Sequence, residues 1–133
     1  MYIVGLSGRM KKLKDRPFNG GSMTEAAFFG WIRSGLRRMS IRWRPKNEVL
    51  AEIRRPKENG GRSKWEYPCK TCKQWFIRAH VEVNHIIPCG SLKSFGDIGP
   101  FCQRLFCEKD GFEILCLDCH KKLTYNEKNK EKL

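Results

Sequence analysis

Cys69-Lys-Thr-Cys72 and Cys116-Leu-Asp-Cys119 are two Cys-x-x-Cys pairs in a chain of 133 residues. Each pair offers two thiolates at the spacing a tetrahedral ion requires, and a structural zinc takes four. One pair alone would equally suit a redox centre. Two of them point to a structural Zn²⁺ that staples the segment between them. That segment is 43 residues long, against a usual zinc-ribbon gap of about 15–20, so it must carry structure of its own. Within it, the stretch "VEVNHIIP" alternates like a strand and ends on Asn84-His85 just before Pro88. His120 directly follows the last cysteine of the second pair. Imidazole titrates near neutrality and can move a proton or hold a metal, and an amide oxygen can also hold a divalent cation. Cys89, Cys102 and Cys107 have no partner at ligand spacing and read as small packed or loop residues.

The elements that would position these groups follow in order. A strand is predicted from Arg78 to about His85, a long loop over Pro88–Asp110, a strand over Phe112–Leu115 and a helix from Leu117 to about Asn126. His120 then sits on the first turn of the helix, turned away from Cys119 and able to face the end of the first strand. Strict alternation would send Asn84 and His85 to opposite faces. Both serve one substrate only if the strand twists or breaks there, and Pro88 fits such an ending. Glu82, two residues back on the Asn84 face, is a carboxylate able to assist through water.

Charge divides the chain differently. Residues 1–68 hold 16 Lys+Arg against 6 Asp+Glu, a net of +10, whereas residues 69–133 hold 11 against 8, a net of +3. All seven cysteines and all three histidines lie in the second half. A polyanion is the expected partner of the first half. No run of about 18 apolar residues is present, so no membrane span is expected. Nor is there a secretory signal pattern, so a reducing, cytoplasmic compartment is expected, and metal-bound cysteines suit it better than disulfides. Ser22 and Glu25 have capping-box spacing, which predicts a helix through about Arg38. Its apolar face is Ala27, Phe28, Trp31, Ile32, Gly35, Leu36 and Met39, with Arg33, Arg37 and Arg38 largely outside the stripe. A shorter helix follows Pro45, with Val49, Leu50 and Ile53 inward and Pro56 as its stop. Around it lie Arg42, Arg44, Lys46, Arg54, Arg55 and Lys57. These nine cationic residues are the candidate contacts to that polyanion, for which RNA, DNA and anionic lipid all qualify by charge alone, and the basic side of the first helix reads as either a solvated face or one that tracks a nucleic acid. "KENGGRSK" (57–64) reads as a polar, glycine-broken linker.

Residues 66–125, "EYPCKTCKQWF…VEVNHIIPCGSLKSF…GFEILCLDCHKKLTY", resemble an HNH endonuclease of the ββα-metal type, in the small zinc-clipped form common among bacteriophage proteins. The resemblance covers roughly half the chain and rests on Cys-x-x-Cys, Asn-His-Ile-Ile-Pro and Leu-Cys-x-x-Cys-His in that order. It implies an α+β fold, a ββα-metal (HNH) core stapled by a four-cysteine zinc site and preceded by a basic helical N-terminal extension. It implies metal-dependent nicking or cleavage of DNA, expected to be double-stranded, inside an infected host cell and alongside other phage DNA-processing proteins. His85 would be the general base, and Asn84 and His120 would hold a catalytic divalent metal, Mg²⁺, Mn²⁺, Ni²⁺ or Zn²⁺. The family often has Asp where Asn84 stands, so this neutral ligand set weakens the hold on Mg²⁺ and favours softer ions. The family's middle Asn usually lies five residues before the third cysteine, which is Gly111 here. Asp110, next to it, is the candidate substitute for orienting the loop and the base. The expected division is a basic flexible arm (1–22), a basic helical DNA-binding extension and linker (23–64), the zinc-stapled nuclease domain (65–127) and a charged tail (128–133). Two other readings stand beside the nuclease. One is a non-catalytic zinc-containing DNA-binding module on the same fold, favoured by Gly111 and Asn84. The other is an RNA-binding or RNA-cleaving protein using Trp43, Trp65 and Trp75.

Overall fold

The computed structural model describes residues 2–4, 10–12 and 15–131, with side chains over 15–129. Over these residues it is an α+β protein of four helices and small antiparallel sheets. Strands β1 (Tyr2–Val4) and β2 (Met10–Lys12) pair with each other, so the arm expected to be loose carries a short hairpin. Phe18 then turns back on Met23 and stacks on Phe28 at 4.2 Å.

Helix α1 spans Glu25–Ser40, and its N-cap is Thr24, whose Oγ1 accepts the Ala27 N–H at 3.1 Å. Ser22, the expected cap, instead donates its hydroxyl to the Asn19 carbonyl in the preceding turn. The buried face of α1 is also rotated by about one residue from the predicted stripe. Phe29 and Ser40 are buried, with Ile32 and Leu36 packed beside the core, while Trp31 and Met39 are 59% and 64% exposed. That rotation carries Arg33 and Arg37 inward over the Phe101 ring, at 5.4 and 5.9 Å from its centroid.

Helix α2 (Arg44–Ile53) opens with Pro45 in its first turn, where the missing N–H costs nothing. It buries Leu50 against Tyr67, Val81 and Ile114, but Ile53, expected inward, lies at the surface. Strands β3 (Arg55–Pro56), β4 (Trp65–Pro68) and β5 (Trp75–Ile77) form an antiparallel sheet that sequence periodicity missed. The predicted linker is the loop of the β3–β4 hairpin, closed by Lys57 N–H to Lys64 O at 2.9 Å. Gly60 and Gly61 take positive φ there (69° and 93°), a conformation other residues resist.

A 3₁₀ turn (Arg78–His80) leads into β6 (Val81–His85), which pairs antiparallel with β7 (Phe112–Cys116); β7 runs directly into helix α4 (Leu117–Glu131). The expected long loop contains helix α3 (Phe95–Leu105), hidden in the sequence by Gly96, Gly99 and Pro100. An internal proline costs a helix about 3 kcal/mol or more. Phe101 and Leu105, one turn apart and 0% and 1% exposed, offset it by burial, roughly 1.5–3 kcal/mol for each side chain. They share their core with Phe29, Cys89 and Leu92, so α1 packs on α3 while α2 packs on β4, β6 and β7. The basic extension and the Cys/His half therefore share their apolar cores.

Candidate functional site

The cysteine cluster is built by two local devices. In the first knuckle, Cys69 N–H donates to Gln74 O and Lys73 N–H to Cys69 O, each at 2.9 Å, and Lys73 adopts φ 65° to close the turn. In the second, Cys116 ends β7 at the mouth of α4, and its Sγ accepts the Cys119 N–H at 3.4 Å, a thiol standing where a helix N-cap would. Lys70 N–H donates to Ile114 O at 2.9 Å and ties the knuckles together. The four Sγ atoms of Cys69, Cys72, Cys116 and Cys119 all lie within 4.8 Å of one another. A tetrahedron with Zn–S bonds of about 2.3 Å has an edge of about 3.8 Å, so four sulfurs this close fit a structural zinc. Their chemistry agrees. Burial opposes the Cys69 thiolate, but backbone N–H groups and the Cys72 thiol pull it down to about 6. Hydrogen bonding to Cys116, then burial, push Cys119 up to about 12. One negative charge forms readily and resists the next, and a dication relieves that conflict.

At the other end of β6, Asn84, His85 and His120 line one cleft of about 760 Å³, together with Glu82 and Glu127. Arg33 and Arg37 from α1 and Lys46 from α2 line the same cleft. Strand alternation holds through the end of β6, with Asn84 turned to Glu113 and His85 to Phe112, yet both residues border the same cleft.

His85 is half-buried, tilted against Phe112 with ring centroids 4.9 Å apart, and its Nε2 lies 3.0 Å from the Leu105 carbonyl. A carbonyl only accepts, so Nε2 carries the proton and Nδ1 keeps the lone pair. Burial holds this imidazole below the ordinary histidine value; the Leu105 bond works against that, while the charges of Lys46 and Arg37 reinforce it. Neutral imidazole with a free Nδ1 is the form that accepts a proton. Burial, with Arg78 and Arg37 nearby, likewise lowers the Lys46 ammonium, and Glu82 offsets part of the effect.

Asn84 donates Nδ2 to Glu113 Oε1 at 3.0 Å across the strand pair. The carboxylate accepts only, so it fixes the amide with Oδ1 as the atom left for another partner. Glu113 is itself 3.9 Å from Lys70 Nζ. Sequence reasoning did not single out Glu113, although its place opposite Asn84 in an antiparallel pair is the signal that would have found it.

Asp110 lies exposed in a 3₁₀ turn (Lys109–Gly111), and the tether on His85 is the Leu105 carbonyl rather than Asp110. A Cβ on Gly111 would stand 2.5 Å from Cys107 Sγ, so the sulfur occupies the space that a side chain at this position would need.

The remaining basic candidates lie elsewhere. Arg38 and Arg42 are exposed, and Arg44 pairs with Glu48 at 2.6 Å. Arg54 and Arg55 stack on Trp65 and Trp75, at 3.9 and 3.8 Å from the ring centroids, and Lys57 lies just beyond them in β3's hairpin. Among the described residues, no helix is long and apolar enough to cross a membrane. The chain matches no protein-family model, and neither the curated proteins nor the solved structures compared with it contain a match.

Proposed function

We propose that this chain is an HNH endonuclease that hydrolyses phosphodiester bonds in duplex DNA, as the sequence resemblance implies, with β6, β7 and α4 as its ββα-metal unit. One observation carries the reading: Asn84, His85 and His120 converge on a single cleft whose other walls bring Arg33, Arg37 and Lys46. In this reading His85 Nδ1 takes the proton of the attacking water, while the Leu105 carbonyl keeps Nε2–H in place and gains strength as the ring becomes cationic. Arg33, Arg37 and Lys46 hold the phosphate in line and offset the charge that grows on it. Asn84 Oδ1 and His120 are the residues that would hold a divalent ion, which would supply positive charge against the charge that grows on the phosphate and leaving group. The four cysteines would hold a structural zinc. DNA of a bacteriophage inside its host is the substrate the resemblance favours.

The test is plasmid nicking by the zinc-loaded protein with Mg²⁺, Mn²⁺ or Ni²⁺, with EDTA as control. Nicking that disappears in His85→Ala while DNA binding persists supports the reading; undiminished nicking by that variant removes the base. A non-catalytic DNA-binding module is the second reading. The Cys107–Gly111 contact favours it, because it rules out a family-type Asn at that place. Absence of nicking with every cation, together with salt-sensitive binding, would select it.

A further inference from the structure

Segment Leu105–Gly111 grips His85 from two sides. The Leu105 carbonyl accepts the imidazole Nε2–H, and the Gly111 carbonyl accepts the N–H of Ile86, the next residue along, at 2.9 Å. Both grips are main-chain oxygens, so the ring is aimed only as well as this segment is held. Leu105 itself is held by α3 and its core, and the stretch that follows it is held from the basic half. Trp43, at the junction of α1 and α2, donates its indole Nε1–H to the Cys107 carbonyl at 2.6 Å and meets the Phe106 ring at 64° with centroids 5.3 Å apart. Lys109 also reaches Glu52 at 2.7 Å, but that pair is about half exposed on both sides, and such pairs contribute little. The Trp43 bond is short and part-buried, and it lies two residues from the carbonyl that receives the imidazole.

We infer that Trp43 is a positioning residue for His85: its indole N–H holds the Phe106–Cys107 stretch so that the Leu105 carbonyl fixes the imidazole with Nδ1 free. The geometry stands by itself, and its catalytic consequence rests on the nuclease reading above. Trp43 does not line the cleft, so its effect is on the turnover of bound DNA rather than on affinity. The helical extension thereby completes the site instead of merely supplying charge.

Trp43→Phe tests this in the full, zinc-loaded chain, because it keeps an aromatic ring against Phe106 and removes only the N–H. Two readouts are needed. The first is the ¹⁵N imidazole spectrum of His85, expected as a single Nε2–H tautomer in the wild type and as a tautomer mixture in the variant. The second is single-turnover nicking, with the rate at saturating enzyme expected to fall about ten- to a hundredfold and DNA affinity unchanged. Unaltered thermal unfolding and zinc content exclude a general loss of fold. A variant that keeps the wild-type imidazole signature, or nicks at the wild-type rate, overturns the inference. A wild type that nicks with none of the cations, beside a variant that still loses the signature, defeats the nuclease reading alone.

Discussion

The two ends of the β6–β7–α4 unit are made in opposite ways. At the cysteine end each knuckle is closed by its own neighbours, a tight turn at Lys73 and a helix mouth at Cys116. At the cleft end the parts are gathered from afar: Arg33, Arg37, Lys46, the adjacent Asn84 and His85, and His120 arrive from four separate elements. A four-cysteine cluster of this kind is fixed by short-range chemistry and, with an ion bound, would hold strands and helix in register. A cleft of this kind depends on long-range packing, here the seating of α1 on α3 and of α2 on the sheets. Damage at the first end should therefore be all-or-none, and damage at the second should be graded.

That contrast can be broken most severely at the staple. Cys69→Ala or Cys116→Ala removes one of four ligands, and structural zinc contributes about 10–16 kcal/mol of apparent binding energy in small zinc domains. The expected result is loss of bound zinc, measured by elemental analysis, together with loss of protease resistance. A variant that stays folded without metal would make the two ends alike. Next comes His85→Ala, expected to lower nicking by about 10²–10⁴ with the melting curve and DNA affinity retained.

The basic residues sharpen the comparison further. Arg37→Ala with Lys46→Ala should lower the saturating rate by about tenfold or more. Arg54→Ala with Arg55→Ala should instead weaken binding and reduce the salt slope by roughly one to two, leaving the saturating rate intact. Rate and affinity measured across a salt series separate the two pairs. Gly111→Ala should cost about 1–3 kcal/mol from the clash with Cys107 Sγ, and Cys107→Ala in the same chain should restore part of it, since the Cys107 Cβ still stands 3.0 Å away, both read by chemical denaturation. The smallest effect is in pH. Burial disfavours the His85 imidazolium, so the active neutral form should persist through the ordinary histidine range. Nicking should decline only as pH falls through the lowered value, and a rate profile whose acid limb lies above the ordinary range contradicts this.

The same contrast explains how much could be read in advance. The four cysteines, the strand ending in Asn84-His85 and the helix carrying His120 were legible because spacing within a few residues sets them. The partners of His85 and Asn84 were not. Leu105 acts through its carbonyl, which every residue possesses, and Glu113 meets Asn84 only once the register of β6 and β7 is known. Helix α3 was masked by its glycines and proline, although Ile98, Phe101 and Leu105 recur at helical spacing. The face of α1 was only partly legible: Phe28, Ile32 and Leu36 do pack beside the core, but Phe29 is its buried member and Trp31 and Met39 are exposed. Charge counting found the basic half but not its division between Arg33, Arg37 and Lys46 in the cleft and Arg54 and Arg55 on the tryptophans.

The grip on His85 by two peptide oxygens has a consequence for mutational scanning. Replacing Leu105 or Asp110 by alanine deletes side chains and leaves both acceptors standing, so a scan across 105–111 would pass over the backbone that holds His85 and Ile86. Ile86→Pro, which removes the amide that reaches Gly111, or an ester linkage in place of the Leu105–Phe106 amide, which weakens the acceptor and also deletes the Phe106 N–H donated to Cys102 O, would expose it.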